Sequence, residues 1–151
     1  MREILFRGKC ADGQWIYGGL LKVTYDGNTY NLIFADNFLF VFGEATAMEH
    51  AAVAPSSIGQ FTGLTDKNGK KIFEGDIGRY KQTDGAKRNG KPITCIGKVV
   101  YNAKTASFAV ESNDETGCKY FDYFPIKHFE VVGNIHDNPE LLEVKEDGNV
   151  D

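Results

Sequence analysis

No stretch of this sequence approaches the roughly 20 apolar residues that a membrane-spanning helix needs. The opening Met1-Arg2-Glu3-Ile4 has no long apolar run behind its positive charge, which argues against a secretory signal. Cysteine is scarce: Cys10, Cys95 and Cys118 are odd in number and widely spaced. That spacing fits neither a metal knuckle nor a redox pair, and it predicts three reduced thiols in a cytoplasmic protein. Proline is scarcer than glycine, 4 against 17, and with aromatics at 13% the balance favours strands joined by tight turns. Catalytic signatures are missing as well. There is no G-x-S-x-G nucleophile motif. The glycine-rich stretches open onto strands rather than onto a helix N-terminus, so none is a phosphate loop.

What is present suits a globular chain. At 151 residues it makes one domain or two very small ones, and it can bury enough surface to fold without staples. Hydrophobic residues at 42% and charged residues at 25% are ordinary for such a protein. The net charge of −4 is unevenly spread: residues 140–151 hold five acids and one lysine, whereas residues 67–104 hold ten Lys or Arg and three acids. The basic segment is the electrostatic feature suited to phosphate, although basic loops also serve solubility. An overall acidic chain is a poor start for backbone electrostatics.

Apolar alternation and turn signals divide the chain into about ten strands. Glu3 to Lys9 and Trp15 to Val23 flank an Asp12-Gly13 turn, and Asp26-Gly27-Asn28 marks the next. Tyr30 to Phe34 and Phe38 to Phe42 read as a hairpin, the second run needing cover against aggregation. Glu44 to Ala52 reads as a turn of helix or a loop. Asp66 to Gly69 and Gly75-Asp76 are tight turns, the latter leading a strand from Ile77 to Lys81. Residues 82–92 form a polar, basic loop. Strands follow at Ile93 to Asn102, Ser107 to Glu111 and Phe129 to Ile135, with an aromatic run from Tyr120 to Phe124 ended by Pro125; Gly133 hints at a bulge or a close backbone contact. Asn138-Pro139-Glu140 is a helix-start signature, with Leu141 and Leu142 able to dock it ahead of an acidic tail.

Each chemical candidate has a structural competitor. Glu74-Gly75-Asp76 sets two carboxylates near one turn, but Gly75 supplies special backbone freedom and Asp76 suits backbone N–H bonds. Asp66-Lys67-Asn68-Gly69 begins like a calcium loop yet lacks the glutamate at its twelfth position. His128, His136 and Asp137 are the candidates for general-base work, with Cys118 and His128 a possible nucleophile–base pair. The aromatics are expected in the core, or exposed for base stacking beside Arg79, Lys81, Lys87, Arg88 and Lys91.

The order of motifs carries a resemblance. Arg2-Glu3-Ile4-Leu5-Phe6-Arg7-Gly8 leads to Trp15-Ile16-Tyr17-Gly18. Gly59-Gln60-Phe61-Thr62-Gly63-Leu64, Asp66-Lys67-Asn68-Gly69 and Ile72-Phe73-Glu74-Gly75-Asp76-Ile77 follow. Gly97-Lys98-Val99-Val100-Tyr101, then Glu130-Val131-Val132-Gly133-Asn134-Ile135-His136, then Asn138-Pro139-Glu140-Leu141-Leu142 complete the series. Over residues 2–142 the chain resembles the YopX family of temperate phages and prophages. The resemblance implies a mainly β protein, oligomeric, with an SH3-like barrel in its C-terminal half. It brings no catalytic residues.

The combined expectation is a β unit over residues 1–57, an SH3-like β-barrel over 58–138 and a short helix with its tail over 139–151. No cofactor, metal or membrane association is expected. The leading functional reading is a non-catalytic phage accessory protein in the host cytoplasm, binding a phage or host macromolecule as a homo-oligomer. Its competitors are a single-stranded nucleic-acid-binding barrel that uses Arg79, Lys81, Lys87, Arg88 and Lys91, and a hydrolase or metal enzyme built on His128, His136 and nearby acids.

Overall fold

A computed structural model describes residues 1–35, 51–83, 92–112, 118–121 and 123–143. The expected strand at Phe38 to Phe42 and most of Glu44 to Ala52 lie outside these residues, as does the tail from residue 144. The fold is mainly β, with ten antiparallel strands among the described residues. The chain divides into two compact units, Met1–Gly63 and Leu64–Asp151. Sequence patterning places that division after residue 57, at the break before the glycine-rich motif. By contacts it falls inside a strand.

In the first unit, β1 (Phe6–Lys9), β2 (Trp15–Tyr25), β3 (Asn28–Phe34) and β4 (Gly59–Thr65) stand in the order β3-β2-β1-β4. The β2–β3 register places Tyr25 opposite Asn28. That leaves Asp26 at φ 48° and Gly27 at φ 73° as the two central turn residues. Two positive φ values give the primed turn whose twist matches a hairpin, as the Asp-Gly signal predicts. Tight packing elsewhere in this unit also needs glycine: a Cβ on Gly18 would overlap the backbone of Phe34. Arg7 lies 4.9 Å over the Trp15 ring, a cation–π contact that lets a buried guanidinium rest on an apolar face.

The second unit is a five-stranded antiparallel sheet in the order β10-β6-β7-β8-β9. Its strands are β6 (Asp76–Thr83), β7 (Pro92–Asn102), β8 (Ser107–Ser112), β9 (Cys118–Tyr120) and β10 (Glu130–Asn134). A short strand, β5 (Lys71–Phe73), precedes them. The expected barrel is open among the described residues, because β9 and β10 stand at opposite edges of the sheet. A physical reason lies at the start of β10. There the Lys67 N–H donates to the Phe129 carbonyl at 3.0 Å, and the Val131 N–H donates to Asp66 Oδ2 at 3.0 Å. A turn therefore satisfies edge groups that a closing strand would otherwise take.

The core of this unit gathers Ile72, Tyr80, Cys95, Val99, Val110 and Phe129. Phe129 stacks with Tyr80 at 6.4 Å and meets Phe121 edge-on at 5.4 Å. It lies directly over Gly78, where any Cβ would overlap its ring. The expected bulge at Gly133 is present: the β10–β6 register shifts between Val131 and Gly133.

Two elements differ from expectation. The aromatic run Tyr120 to Phe124 is split between two elements: β9 ends at Tyr120, and Tyr123–His128 forms a one-and-a-half-turn helix, α1, that the sequence pattern did not signal. Pro125 is tolerated there because first-turn N–H groups have no intrahelical acceptor. The helix expected from Pro139 is a single 3-10 turn, Pro139–Leu142, without a side-chain cap from Asn138. Asn138 Oδ1 accepts the Asn134 N–H at 3.4 Å instead, and one turn carries too few hydrogen bonds to propagate.

Candidate functional site

The Asp66 turn explains how the site is assembled. Asp66 is only 6% exposed. Its Oδ1 accepts the N–H groups of Asn68 at 2.8 Å and Lys70 at 2.9 Å, while Oδ2 reaches Val131. Gly69 closes the turn at φ 81°, a conformation that favours glycine. Pinned in this way, the turn sets Lys67 beside Glu130, with Nζ 2.7 Å from Oε2.

Glu130 receives a second cation across the sheet. Arg79 on β6 is its direct strand partner, and Arg79 Nη2 donates to the same Oε2 at 3.0 Å. Side-chain exposures are 43% for Lys67, 52% for Arg79 and 24% for Glu130, so both pairs remain wet. The hydrogen bonds from Lys67, then from Arg79, hold the Glu130 carboxyl below the usual carboxylate range.

Lys81 follows two residues after Arg79, on the same face of β6, and is paired with Thr94 on β7. Together with His128 from the end of α1 and the flank of Tyr80, these residues line an open cleft of about 380 Å³. Three fixed cations and one carboxylate leave the cleft positive. The cleft suits an anion with several oxygens, since Lys and Arg ammonium and guanidinium groups, backed by the Thr94 hydroxyl, offer only donors or donor-capable atoms.

Of the basic residues expected to meet nucleic acid, Arg79 and Lys81 come together here, whereas Lys87, Arg88 and Lys91 fall outside the described residues. Lys67 was legible only as a turn residue and as one of the ten cations of segment 67–104; what singles it out is its position one residue after a buried carboxylate. Among the described residues no phenylalanine, tyrosine or tryptophan offers an exposed ring for base stacking in this cleft, for Tyr80 is 2% exposed. Phe61, Phe73 and Phe129 are likewise buried, in keeping with the expectation that aromatics fill the core.

His128 and His136 flank opposite ends of β10. The Asp137 carboxylate accepts from Asn134 Nδ2 at 2.9 Å, and the His136 N–H donates to Asn134 Oδ1 at 3.0 Å, which orders the loop after the strand. Asp76 is buried and accepts the Phe73 N–H at 2.8 Å, the backbone role anticipated for it. Among the described residues no three His, Cys, Asp or Glu side chains converge as a metal site. No helix among them is long and apolar enough to cross a membrane.

Two β units, the second bearing a cationic cleft on its sheet, define the class of protein. The YopX protein family model matches residues 5–143, and the chain belongs to that family. It is also similar to the crystal structure of protein EF1440 from Enterococcus faecalis, with 24% sequence identity and a TM-score of 0.48, over 95% of this chain and 100% of that one. No curated protein matches.

Proposed function

We propose that the protein is a non-catalytic phage or prophage accessory factor that binds nucleic acid through its phosphates at the cleft of the second unit. The observation supporting this reading is the convergence of Lys67, Arg79, Lys81 and His128 on one open face. Among the described residues that line the cleft no phenylalanine, tyrosine or tryptophan ring is exposed, so the contacts are to the backbone, which carries no sequence information. Titration of a fluorescent single-stranded oligonucleotide tests it. With about three phosphates neutralised, log K falls with log salt at a slope of about −2. Arg79→Ala combined with Lys81→Ala flattens that slope and weakens binding. Absence of binding at low salt in the wild type would overturn the reading.

Self-association is a second reading, favoured by β2. Tyr17, Leu21 and Tyr25 alternate along one face of that strand, and all are exposed. A face of this kind suits a second copy of the chain. Light scattering after size exclusion checks it, and a strict monomer at every concentration would remove it.

A further inference from the structure

The cleft contains its own anion. Glu130 Oε2 sits 2.7 Å from Lys67 Nζ and 3.0 Å from Arg79 Nη2, so one oxygen accepts from two cations on two separate elements. A phosphate oxygen makes the same kind of contact: a charged acceptor between an ammonium and a guanidinium. Lys81 differs. It faces Thr94 across the β6–β7 pair, and that neighbour is an uncharged hydroxyl. The cleft therefore has one part already satisfied by a carboxylate and one part lined by a cation and a hydroxyl.

We propose that Glu130 is a built-in competitor for the ligand, its carboxylate holding between Lys67 and Arg79 the place that a backbone phosphate takes when nucleic acid binds. This rests on the cleft being the nucleic-acid surface. Loading then proceeds from Lys81 and Thr94, where no carboxylate among the described residues must be displaced, toward Lys67 and Arg79, where phosphate exchanges for Glu130. Both ion pairs are partly exposed, so each is worth little and the exchange is reversible. A lone phosphate ion gains little from displacing Glu130, because it trades one anion for another. A strand already anchored at Lys81 brings its next phosphate at a high effective concentration, and the exchange becomes favourable. Glu130 thus discriminates polyanions from single anions, a form of specificity achieved by repulsion.

Removing the carboxylate charge tests the proposal. Glu130→Gln keeps the shape of the side chain, Glu130→Ala removes it, and Glu130→Asp keeps the charge. Each is titrated with the same fluorescent single-stranded oligonucleotide and, separately, with inorganic phosphate, after circular dichroism and a thermal melt confirm folding. Loss of one negative charge at this distance is expected to tighten oligonucleotide binding roughly five-fold in the Gln and Ala variants. It should also steepen the salt dependence, while Asp stays near the wild type. Inorganic phosphate, negligible with the wild type, should gain measurable binding in Glu130→Gln. If the wild type binds the oligonucleotide and both neutral variants bind equally or more weakly, the competitor role is overturned while the cleft remains a nucleic-acid surface. If none of the four proteins binds at low salt, the nucleic-acid reading falls and the competitor role with it.

Discussion

Asp66 and Val131 lie 65 positions apart and are joined by one hydrogen bond, the Val131 N–H donating to Asp66 Oδ2 at 3.0 Å. The same carboxylate organises its own turn through Asn68 and Lys70. A single nearly buried side chain therefore shapes a loop and fastens it to the first residues of β10. Lys67 reaches Glu130 because of that fastening.

Replacing Asp66 by alanine leaves three backbone N–H groups without their acceptor. Buried donors left unsatisfied cost about 1–3 kcal/mol apiece, and water reaches some of these, so Asp66→Ala should lose about 3 kcal/mol. Urea denaturation measures this. A loss below about 1 kcal/mol would show that the turn holds without its carboxylate. The same variant should weaken oligonucleotide binding, since Lys67 is no longer positioned.

Gly78 is predicted to be intolerant of any side chain. A Cβ there would overlap the Phe129 ring, which is fully buried and cannot swing into solvent. Overpacking of this kind costs at least about 1–3 kcal/mol, and Gly78→Ala should lower the melting temperature by several degrees. Phe129→Leu in the same background should recover part of the loss, and failure to recover would place the strain elsewhere.

The pH dependence of stability should carry a component from Glu130. Its folded-state carboxyl is held below the ordinary range, first by Lys67 and then by Arg79. A depressed carboxyl contributes stability that is present above its unfolded value and lost as pH falls through its lower folded value. Wild type and Glu130→Gln should thus differ at neutral pH and converge in acid below the ordinary carboxylate range. Thermal melts at low salt between pH 3 and 7 check this; a constant difference across the range would refute it. The difference should shrink in high salt, because the pairs are exposed.

Cys10 should be a sluggish thiol. Burial, and then the neighbouring Asp12 carboxylate, push its pKa up, so less thiolate is present at a given pH. Iodoacetamide at mildly alkaline pH should alkylate it more slowly than a short unfolded peptide of the same local sequence. Asp12→Asn should quicken the reaction; equal rates in protein and peptide would contradict the raised pKa.

The local code was legible where backbone conformation is set by a few residues. The turns at Asp12-Gly13, Asp26-Gly27, Asp66 to Gly69 and Gly75-Asp76 were read directly, and Gly13, Gly27, Gly69 and Gly75 all have positive φ. The Gly133 irregularity was legible for the same reason. Strands β4 and β5 were recognised only as motifs. Gly59 and Gly63 interrupt the apolar alternation of β4, and β5 has just three residues. The helix Tyr123–His128 was not legible, because the run Tyr120 to Phe124 that overlaps its start is aromatic, and aromatic content favours β structure.

By itself the sequence determined the β class, the turn positions and the presence of a basic segment, because residue type governs φ, alternation and charge over a few neighbours. Only the tertiary structure decided which charges meet. Lys67, Arg79 and Glu130 share one oxygen although Arg79 and Glu130 are 51 positions apart. That meeting follows from β10 pairing with β6 and from the Asp66 turn docking on the start of β10, long-range hydrogen bonds that no local pattern encodes.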